Sequence, residues 1–537
     1  MIYRACKKHV RFFYNKYCFF LIIMLKYSHI SLRSIVMISI IEKINSAVND
    51  VVWGVPALFL LVGTGILMTV MLKFFQFTKF GHVLKETIGS LFKKKARSKK
   101  SDEKSISQFQ ALCTALSATV GTGNITGIAL AITSGGPGAI FWMWIAAIVG
   151  MMTKFAESVL GIFFRTRNSD GEWQGGPMYY IKHGFANIRG MSGIGKVLSV
   201  LFAVFALAAS FGIGNMGQIA SISESIKNVG SFSGNDRYDS LIIGGVILVV
   251  AALVIIGGLK RIARANELLV PFMAFFYIVG AVIIIVMNHE MILPSFRSIF
   301  ANAFNTKAVA GGVGGYVIIK AIQWGFKRGI FSNEAGLGSS VMVSSSSDAK
   351  EPVNQGLWGI FEVFFDTIII CTLTALVILT SGVVNLSTGA SLTGSKELGL
   401  ATEAFTKNLG TFGGVFTAFA VTLFAFSTVL GWSVYGSKAW EYLFGKKTGI
   451  IYKIIFLAVI LVGTALNTDL IVDLSDTFNG LMAIPNLIGL LVLSPIVYKI
   501  TRNYVDRKFK GKTDLKPILS NDPEIQSEME EKIKKEA

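Results

Sequence analysis

The residues with the clearest potential for chemistry lie in 115-ALSATVGTGNITGIALAITSGGPG-138. At its centre stand Gly121-Thr122-Gly123-Asn124, where glycines weaken a helix and hydrocarbon cannot solvate the Asn124 amide. A membrane helix can be broken only where protein or a water-filled cavity covers the break. We therefore predict a broken helix, in which freed N–H groups bind a carboxylate and freed carbonyls bind a cation.

Close helix packing and dinucleotide binding account for this stretch less well. Gly123 and Gly127 form a small-xxx-small pair, which also serves close packing between membrane helices. Close packing does not explain the polar Thr122 and Asn124 beside them. A dinucleotide-binding turn fits less well, because no predicted strand precedes the glycines.

Further polar side chains lie inside other apolar segments. Thr428 and Trp432 are four residues apart and share a helix face, Ser427 is adjacent, and Gln218 lies in another segment. Each has an ordinary alternative, because membrane Ser and Thr bond their own i−4 carbonyl, Trp marks the interface and Gln joins helices. The residues alone leave both interpretations open.

Charged side chains inside apolar segments should be paired or exposed to water. Lys154 and Glu157 are one helical turn apart, and Glu362 and Asp366 share a face of another helix. We expect Lys154 and Asp366 to meet, either as a structural ion pair or as a gate or proton relay. Lys320 interrupts a weakly apolar segment, where it either snorkels or supplies a fixed positive charge near the site.

The elements that would position these residues are membrane helices. Of 537 residues, 52% are hydrophobic and 15% charged, and the mean hydropathy is +0.59, which is too apolar for a soluble domain. The formal charge of +19 is spread between apolar runs, which favours membrane topology over nucleic-acid binding. The four cysteines are scattered, and we predict neither disulfides nor a metal site. Eleven segments have the length to span a bilayer: 53–73, 107–133, 138–164, 197–225, 241–258, 266–288, 312–330, 355–381, 412–434, 451–467 and 477–498.

The basic residues of the loops give an orientation. If the loop 73–104, with 93-KKKARSKK-100, is cytoplasmic, the loops on its side carry 34 Lys and Arg and the opposite loops carry six. This alternation requires the seventh segment, 312–330, to be a span although it is weakly apolar. It also places the C-terminus in the cytoplasm. Residues 1–36 carry seven Lys and Arg on the unexpected side. They are either a basic arm or a start codon assigned too early, with Met37 as the better start.

The predicted fold is an all-α polytopic membrane protein with one leading helix and ten core helices. The segment 107–133 opens one set of five and 312–330 opens the next, and an odd number per set gives the two sets opposite orientations. The stretch 311–340 is a second interrupted segment in the corresponding place. We divide the chain into five parts. An N-terminal extension covers 1–36, and a leading segment with the first span and a basic loop covers 37–106. The two five-helix repeats cover 107–288 and 289–498, and a cytoplasmic tail covers 499–537.

At its motifs the chain resembles the alanine/glycine:cation symporters, also called the sodium:alanine symporter family. The matching stretches run from about residue 45 to 500: 121-GTGNITG-127, 135-GGPGAIFWMW-144, 175-GGPMYY-180, 212-GIGNMGQ-218, 325-GFKRGIFSNEAGLGS-339, 427-STVLGW-432 and 479-NGLMAIPNLIGLL-491. The resemblance implies a LeuT-type 5+5 inverted-repeat core behind one leading helix. It also implies cotransport of alanine or glycine with Na⁺.

The same resemblance implies roles for individual residues. The substrate would lie against backbone N–H groups of Thr122 and Gly123, the Asn124 amide and Thr428, in a pocket lined by Gln218, Trp324, Gly325 and Trp432. The sodium ligands would be the carbonyls of Ser117, Val120 and Phe424 and the hydroxyls of Ser427 and Thr428. The Lys at 320 and the basic extension depart from the family pattern.

The leading hypothesis is therefore a secondary transporter in a bacterial or archaeal cell membrane, with Na⁺ as coupling ion and no other cofactor. Its partners would be a small neutral amino acid, Na⁺ and the bilayer, without nucleic acid, and a monomer would suffice. An enzyme is disfavoured because no nucleophile and base converge, and ATP-driven pumping because no phosphate-binding loop exists. H⁺ coupling and a non-transporting amino-acid sensor remain alternatives. The residues do not rank alanine against glycine, serine or D-alanine.

Overall fold

The computed structural model describes residues 39–92, 104–230, 232–304, 314–464, 468–512 and 514–535. The chain divides into two units, Met1–Val51 and Val52–Ala537. Residues 39–51, the described part of the first unit, are helical. The predicted basic extension 1–36 and the run 93–100 lie outside the described residues.

The second unit is mostly helical, in agreement with the prediction. Its α-helices are Val55–Met71, Phe75–Thr78, Phe80–Glu86, Ile88–Leu91, Gln108–Thr119, Thr126–Gly135, Gly138–Phe163, Pro177–Ala186, Ser192–Phe211, Gly217–Lys227, Asp236–Ile255, Gly258–Met287, Ile292–Ala303, Gly314–Asn333, Val341–Ser344, Pro352–Val363, Thr372–Thr380, Glu397–Leu409, Thr411–Phe444, Gly449–Gly463, Thr468–Phe509 and Pro523–Lys534. Short 3₁₀ turns lie at Thr122–Asn124, His289–Met291 and Lys446–Thr448, and π-helical turns at Gly212–Met216 and Phe364–Cys371.

Eight helices in the described ranges are long and apolar enough to cross a membrane, or nine if the bent pair Gln108–Thr119 and Thr122–Gly135 forms one span. Two predicted spans fall short of this standard. Gly449–Gly463 has only 15 residues, and Gly314–Asn333 contains three basic residues. The predicted count of eleven spans is therefore not confirmed. Large apolar side chains such as Leu268 and Phe275, 79% and 69% exposed, are typical of lipid-facing positions.

The broken helix predicted at residues 121–124 is present. Its first half begins at a capping box, in which Ser107 and Gln110 exchange side-chain to backbone hydrogen bonds of 3.1 Å. Helical geometry ends at Val120, and the second half leaves at an angle of 60°. The second half ends at Gly136, whose φ of 73° suits glycine, followed by Pro137.

The second predicted interrupted stretch, 311–340, contains irregular backbone in its last part. Gly314–Asn333 is a continuous helix, and the irregular backbone follows it, in residues 334–340 before the short helix Val341–Ser344. Glu334, Gly336 and Gly338 all have positive φ there, and a non-glycine residue in this region is strained. The glycines that adopt irregular backbone lie beyond the end of the helix and not within it.

The helix Gly138–Phe163 forms the centre of the core, packed against Gly314–Asn333 and Pro352–Val363. Glycines allow this close approach. A Cβ at Gly325 would lie 2.7 Å from the Trp142 Cβ, and a Cβ at Gly359 would lie 3.1 Å from the Lys154 carbonyl oxygen. These contacts hold the buried charged residues of Gly138–Phe163 against its two partners.

One short hairpin accompanies the helices in the described residues. Strands Thr166–Arg167 and Trp173–Gln174 form an antiparallel hairpin, with Thr166 opposite Gln174. The predicted tail is ordered where it is described, and its helix Pro523–Lys534 packs on this hairpin. Trp173, Leu519, Ile525 and Met529 form a buried cluster, and Arg167 pairs with Glu528 at 2.8 Å.

The hairpin is also tied to the end of the helix Thr411–Phe444. Lys446 forms ion pairs with Asp170 and with Glu172, the latter at 2.7 Å, and the buried Lys438 donates to the Trp173 carbonyl at 2.9 Å. The hydrogen bond from Lys446 lowers the pKa of the Asp170 carboxyl below its ordinary 3.8. This pair is exposed, so its stabilising effect is small and sensitive to salt.

Candidate functional site

Four oxygen atoms from two helices converge beside the break. The Thr428 hydroxyl lies 2.9 Å from the carbonyl oxygens of both Ser117 and Phe424, and the Ser427 hydroxyl lies 3.4 Å and 2.8 Å from the same two oxygens. Ser117 belongs to the first half of the broken helix, and the other three residues belong to Thr411–Phe444. All four residues are at most 1% exposed. The predicted ligand residues Ser117, Phe424, Ser427 and Thr428 are thus brought together.

Two glycines permit this contact between the helices. A Cβ at Gly121 would lie 2.5 Å from the Thr428 Oγ1, and a Cβ at Gly431 would lie 2.6 Å from the Ser117 Oγ. Any side chain at either position would therefore push the break away from Thr411–Phe444. Val120, the fifth predicted ligand residue, is fully buried at the point where the first half-helix ends.

A third helix, Gly258–Met287, completes the surroundings of these oxygens, and sequence reasoning missed it. Asn266 Nδ2 donates to the Ser117 Oγ at 2.9 Å, and the Ser427 hydroxyl lies 3.3 Å from the Met273 sulfur. Both residues are fully buried. Their spacing of seven residues places them on one helix face, and this spacing is the sequence feature from which both could have been predicted as site residues. Asn266, however, lies at the margin of its predicted span.

The predicted substrate residues at the break are only partly together. Thr122 and Gly123 are half-buried, and the Thr122 hydroxyl donates to the Gln218 Oε1 at 3.1 Å. Gln218 is held in turn by the π-helical turn Gly212–Met216, because its Nε2 donates to the Ile213 carbonyl at 3.0 Å. Thr122 and Gln218 therefore form one polar unit beside the break, with Gly123 next to it.

Asn124 is engaged within the protein, which differs from the role we expected. Its Oδ1 accepts from the Gly121 N–H at 3.0 Å, and its Nδ2 donates to the Asp366 Oδ1 at 2.7 Å. The other Asp366 oxygen accepts from the hydroxyls of Ser332 and Thr367, both at 2.8 Å. The amide therefore holds the break together and links it to a fully buried carboxylate, instead of presenting free donors to a ligand.

The predicted aromatic and glycine lining is placed less openly than expected. Trp432 is only 1% exposed, stacks edge-on against Tyr435 and covers Gly214, whose Cβ would lie 2.5 Å from the Trp432 Cγ. Gly325 faces the helix Gly138–Phe163 instead of a pocket. Trp324 is half-buried and lies over the guanidinium of Arg328, 5.5 Å from its ring centre. Of this lining, Trp324 alone retains partial exposure.

The expected pairing of Lys154 with Asp366 is wrong. Lys154 lies 3.0 Å from the Oε1 of Glu362, which precedes Asp366 by one helical turn. Lys154 also donates to the Asn333 carbonyl at 3.0 Å. Glu157 instead accepts from the Gly336 N–H at 3.0 Å and from the Asn486 amide at 2.6 Å. The lysine thus joins three helices, as a structural ion pair would, and Glu157 holds the loop 334–340.

Two charged residues near the break were not predicted as site residues. Arg328 is 8% exposed, lies 5.3 Å from the Phe331 ring centre and 3.6 Å from the Asp476 carboxylate. Lys327 lies 3.5 Å from the same carboxylate. Both basic residues lie at the end of a predicted span, where a positive charge is ordinary and gives no signal of a site. Lys320 is half-buried, with its carbonyl against Gly135.

The converging oxygens are carbonyls and hydroxyls, which are hard, neutral ligands that suit an alkali cation better than a transition metal. Within the described ranges, no three His, Cys, Asp or Glu side chains could together hold a metal ion. Together with the half-helix ends, such a set can bind a cation and a small zwitterion side by side.

Comparison with known proteins decides the family. The family model described as "sodium:alanine symporter family" matches residues 38–517. The chain belongs to the sodium:alanine symporter family. It is 44% identical over 462 residues to the sodium/alanine symporter AgcS of Methanococcus maripaludis, covering 86% of this chain and 96% of that relative. It is 34% identical to the amino-acid carrier protein AlsT of Bacillus subtilis, over 87% and 93% of the two chains.

A third relative carries a different substrate in its name. The chain is 37% identical to the "probable sodium/glutamine symporter GlnT" of Bacillus subtilis, over 90% of this chain and 95% of that one. Among solved structures, a manganese transporter of Eremococcus coleocola has a TM-score of 0.45 at 12% identity, over 79% of this chain and 82% of that chain.

Family membership makes the chain a multi-pass membrane transporter and not an enzyme. It also supports Na⁺-coupled symport of amino acids, with Na⁺ as the coupling ion.

Proposed function

We propose that the chain carries small neutral amino acids, chiefly alanine and glycine, into the cell together with Na⁺. The observation that carries this proposal is the set of four buried oxygens of Ser117, Phe424, Ser427 and Thr428 between the broken helix and Thr411–Phe444. In a family of sodium:alanine symporters, such a set is the natural position for the coupling ion.

The sodium ion would lie among these oxygens, with the Val120 carbonyl as a fifth ligand. The first half-helix ends at this point, so its negative dipole end faces the cation. The Thr428 and Ser427 hydroxyls already donate to the carbonyls of Ser117 and Phe424. Na⁺ would take over the carbonyl lone pairs. A site without a full negative charge also releases its ion readily, which a transport cycle requires.

The amino acid would bind beside the ion, at the start of the second half-helix. The carboxylate would face the backbone N–H groups of Thr122 and Gly123, where the helix dipole is positive. The hydroxyl of Thr122 and the amide of Gln218 are already joined there and would orient the ligand. The buried Trp432 restricts the volume on the other side, which favours a hydrogen or methyl side chain.

Asn124 would act by coupling and not by direct ligation. Its amide connects the break to Asp366, which Ser332 also contacts from the helix Gly314–Asn333. A change of the break on ligand binding would therefore move this second helix. Rocking of helices about the site would then expose it alternately to each side. From the loop charges, the C-terminus lies in the cytoplasm.

H⁺ coupling is a second candidate. It is favoured by Asp366, a carboxylate with 0% exposure at the break. A buried carboxylate is expensive in low dielectric unless a proton or another cation neutralises it.

The test is uptake of labelled L-alanine and glycine by proteoliposomes that contain the purified protein. An inward Na⁺ gradient should drive accumulation, and an inward K⁺ gradient should not. Among competitors added in excess, the small serine and D-alanine should inhibit uptake more strongly than the larger glutamine. Thr122→Val should raise the KM for alanine, whereas Thr133→Val should not, because the Thr133 hydroxyl serves only its own helix. Accumulation driven by a pH gradient at constant Na⁺ would replace Na⁺ coupling with H⁺ coupling.

A further inference from the structure

The Ser117 hydroxyl and the Ser117 carbonyl have different hydrogen-bond partners. Its hydroxyl donates to the Thr114 carbonyl at 2.8 Å and accepts from the Asn266 Nδ2 at 2.9 Å. The Ser117 carbonyl lies 2.9 Å from the Thr428 hydroxyl. A chain of hydrogen bonds therefore runs from Asn266 through the Ser117 side chain to the half-helix, and it fixes the residue whose carbonyl faces the ion.

Asn266 itself is not satisfied by this arrangement. Its side chain is 0% exposed, and its Oδ1 has no hydrogen-bond partner among the described residues. A buried acceptor without a partner costs free energy, and an apolar side chain of the same size would avoid that cost. Stability alone therefore does not account for an asparagine at this position.

The helix that carries Asn266 contacts two of the residues that supply the oxygen cluster, and also the start of the broken helix. Glu267 accepts from the Gln110 amide at 2.9 Å, near the start of the first half-helix. Met273, two turns beyond Asn266, lies 3.3 Å from the Ser427 hydroxyl. Gly258–Met287 thus contacts both Ser117 and Ser427.

We propose that Asn266 is a positioning residue that sets the affinity of the transporter for Na⁺ by holding the Ser117 carbonyl in place. The inference rests on the proposed function. Asn266 does not touch the ion on this account and acts through the Ser117 side chain. Its loss should therefore weaken Na⁺ binding more than amino-acid binding.

The experiment measures two quantities on the purified full-length protein: the half-saturating Na⁺ concentration for alanine uptake in proteoliposomes, and the Na⁺-induced rise in Tm in detergent. Asn266→Ala should raise the half-saturating Na⁺ concentration about fivefold, equivalent to about 1 kcal/mol. The alanine KM at saturating Na⁺ should change less than about twofold. Asn288→Ala is the matched control, because Asn288 lies at the end of the same helix and bonds Ile284 and Asn408 instead.

A double-mutant cycle separates positioning from general loosening. If Asn266 acts through the Ser117 hydroxyl, Ser117→Ala should give a similar shift, and the double variant should be no worse than either single variant. Asn266→Leu provides a stable alternative, because it fills the space and removes the unpaired acceptor, and it should show the same Na⁺ shift.

The inference is overturned if folded Asn266→Ala and Asn266→Leu keep the wild-type Na⁺ dependence. It is also overturned if the alanine KM rises by as large a factor as the half-saturating Na⁺ concentration. A third contrary result is that the effects of Asn266→Ala and Ser117→Ala on the half-saturating Na⁺ concentration add in the double variant. If the wild type shows Na⁺-driven uptake and the variants keep its half-saturating Na⁺ concentration, this inference alone is overturned. Wild-type uptake without any Na⁺ dependence would overturn the proposed function and this inference with it.

Discussion

Removal of the Thr428 hydroxyl is the most direct perturbation of the proposed ion site. Thr428→Val keeps the shape of the side chain but removes the Oγ1 that lies 2.9 Å from both Ser117 and Phe424 carbonyl oxygens. A contact of this kind to a charged group contributes about 1.5–3 kcal/mol. By the affinity relation this corresponds to about a 10- to 150-fold loss. We therefore expect the half-saturating Na⁺ concentration to rise at least about tenfold.

The assay is alanine uptake by proteoliposomes over a range of Na⁺ concentrations, together with the Tm in detergent with and without Na⁺. Because Na⁺ binds only the folded state, the wild type should be stabilised as Na⁺ increases, and the variant should lose most of this rise. Thr422→Val is the control, since among the described residues the half-buried Thr422 hydroxyl bonds the Ala418 carbonyl of its own helix and no other group. An unchanged Na⁺ dependence in folded Thr428→Val would refute the placement of the ion.

Three further outcomes follow from the contacts described above. Asp366→Asn, measured by uptake and by Tm, should lower alanine uptake at least about tenfold in folded protein, because the amide at the break loses its charged acceptor; uptake near the wild-type rate would contradict this. Gly214→Ala should lower the Tm, since overpacking costs about 1–3 kcal/mol, whereas Gly245→Ala should not, because no described atom beyond the adjoining backbone of its helix lies within 4 Å of the new Cβ. In the exposed pair of Lys446 with Asp170, the pKa of Asp170 is lower in the folded state than its ordinary 3.8. The pair therefore stabilises the folded protein at pH values above 3.8, and this stabilisation is lost as the pH falls through the pKa of the folded state. The Tm difference between wild type and Lys446→Met should thus be constant from about pH 5 to 8 and shrink below about pH 4, and a difference that grows on acidification would contradict the pairing.

Sequence reasoning located the break because it depends on local chemistry. Glycines and a polar amide in an apolar run conflict with a continuous helix, whatever surrounds them, and the structure bends by 60° there. The same reasoning located the second interruption only as a stretch of thirty residues, 311–340. Composition did not show where in this stretch the helix ends: the irregular backbone follows Asn333, and Glu334 adopts a positive φ that composition does not reveal.

Partners of buried charges were predicted less well, because depth in the membrane does not specify rotation about the helix axis. Glu362 and Asp366 share a face, so both were acceptable partners for Lys154 by spacing. The structure places Glu362 at the lysine and Asp366 at Asn124, and the helix is π-wound from Phe364 to Cys371. Such local winding alters the register of a face in a way that a regular period cannot anticipate.

The packing of the C-terminal helix on the hairpin has a consequence for the order in which the protein is made. Trp173 stacks beneath Arg165 and Arg167, but the apolar side chains that bury it come from residues 519–529. A chain emerging from the ribosome exposes residues 519–529 long after Trp173, and earlier segments begin to assemble in the meantime. Trp173 therefore stays without its apolar cover until residues 519–529 have been made, and a chain truncated before Leu519 would leave this face of the hairpin unfinished.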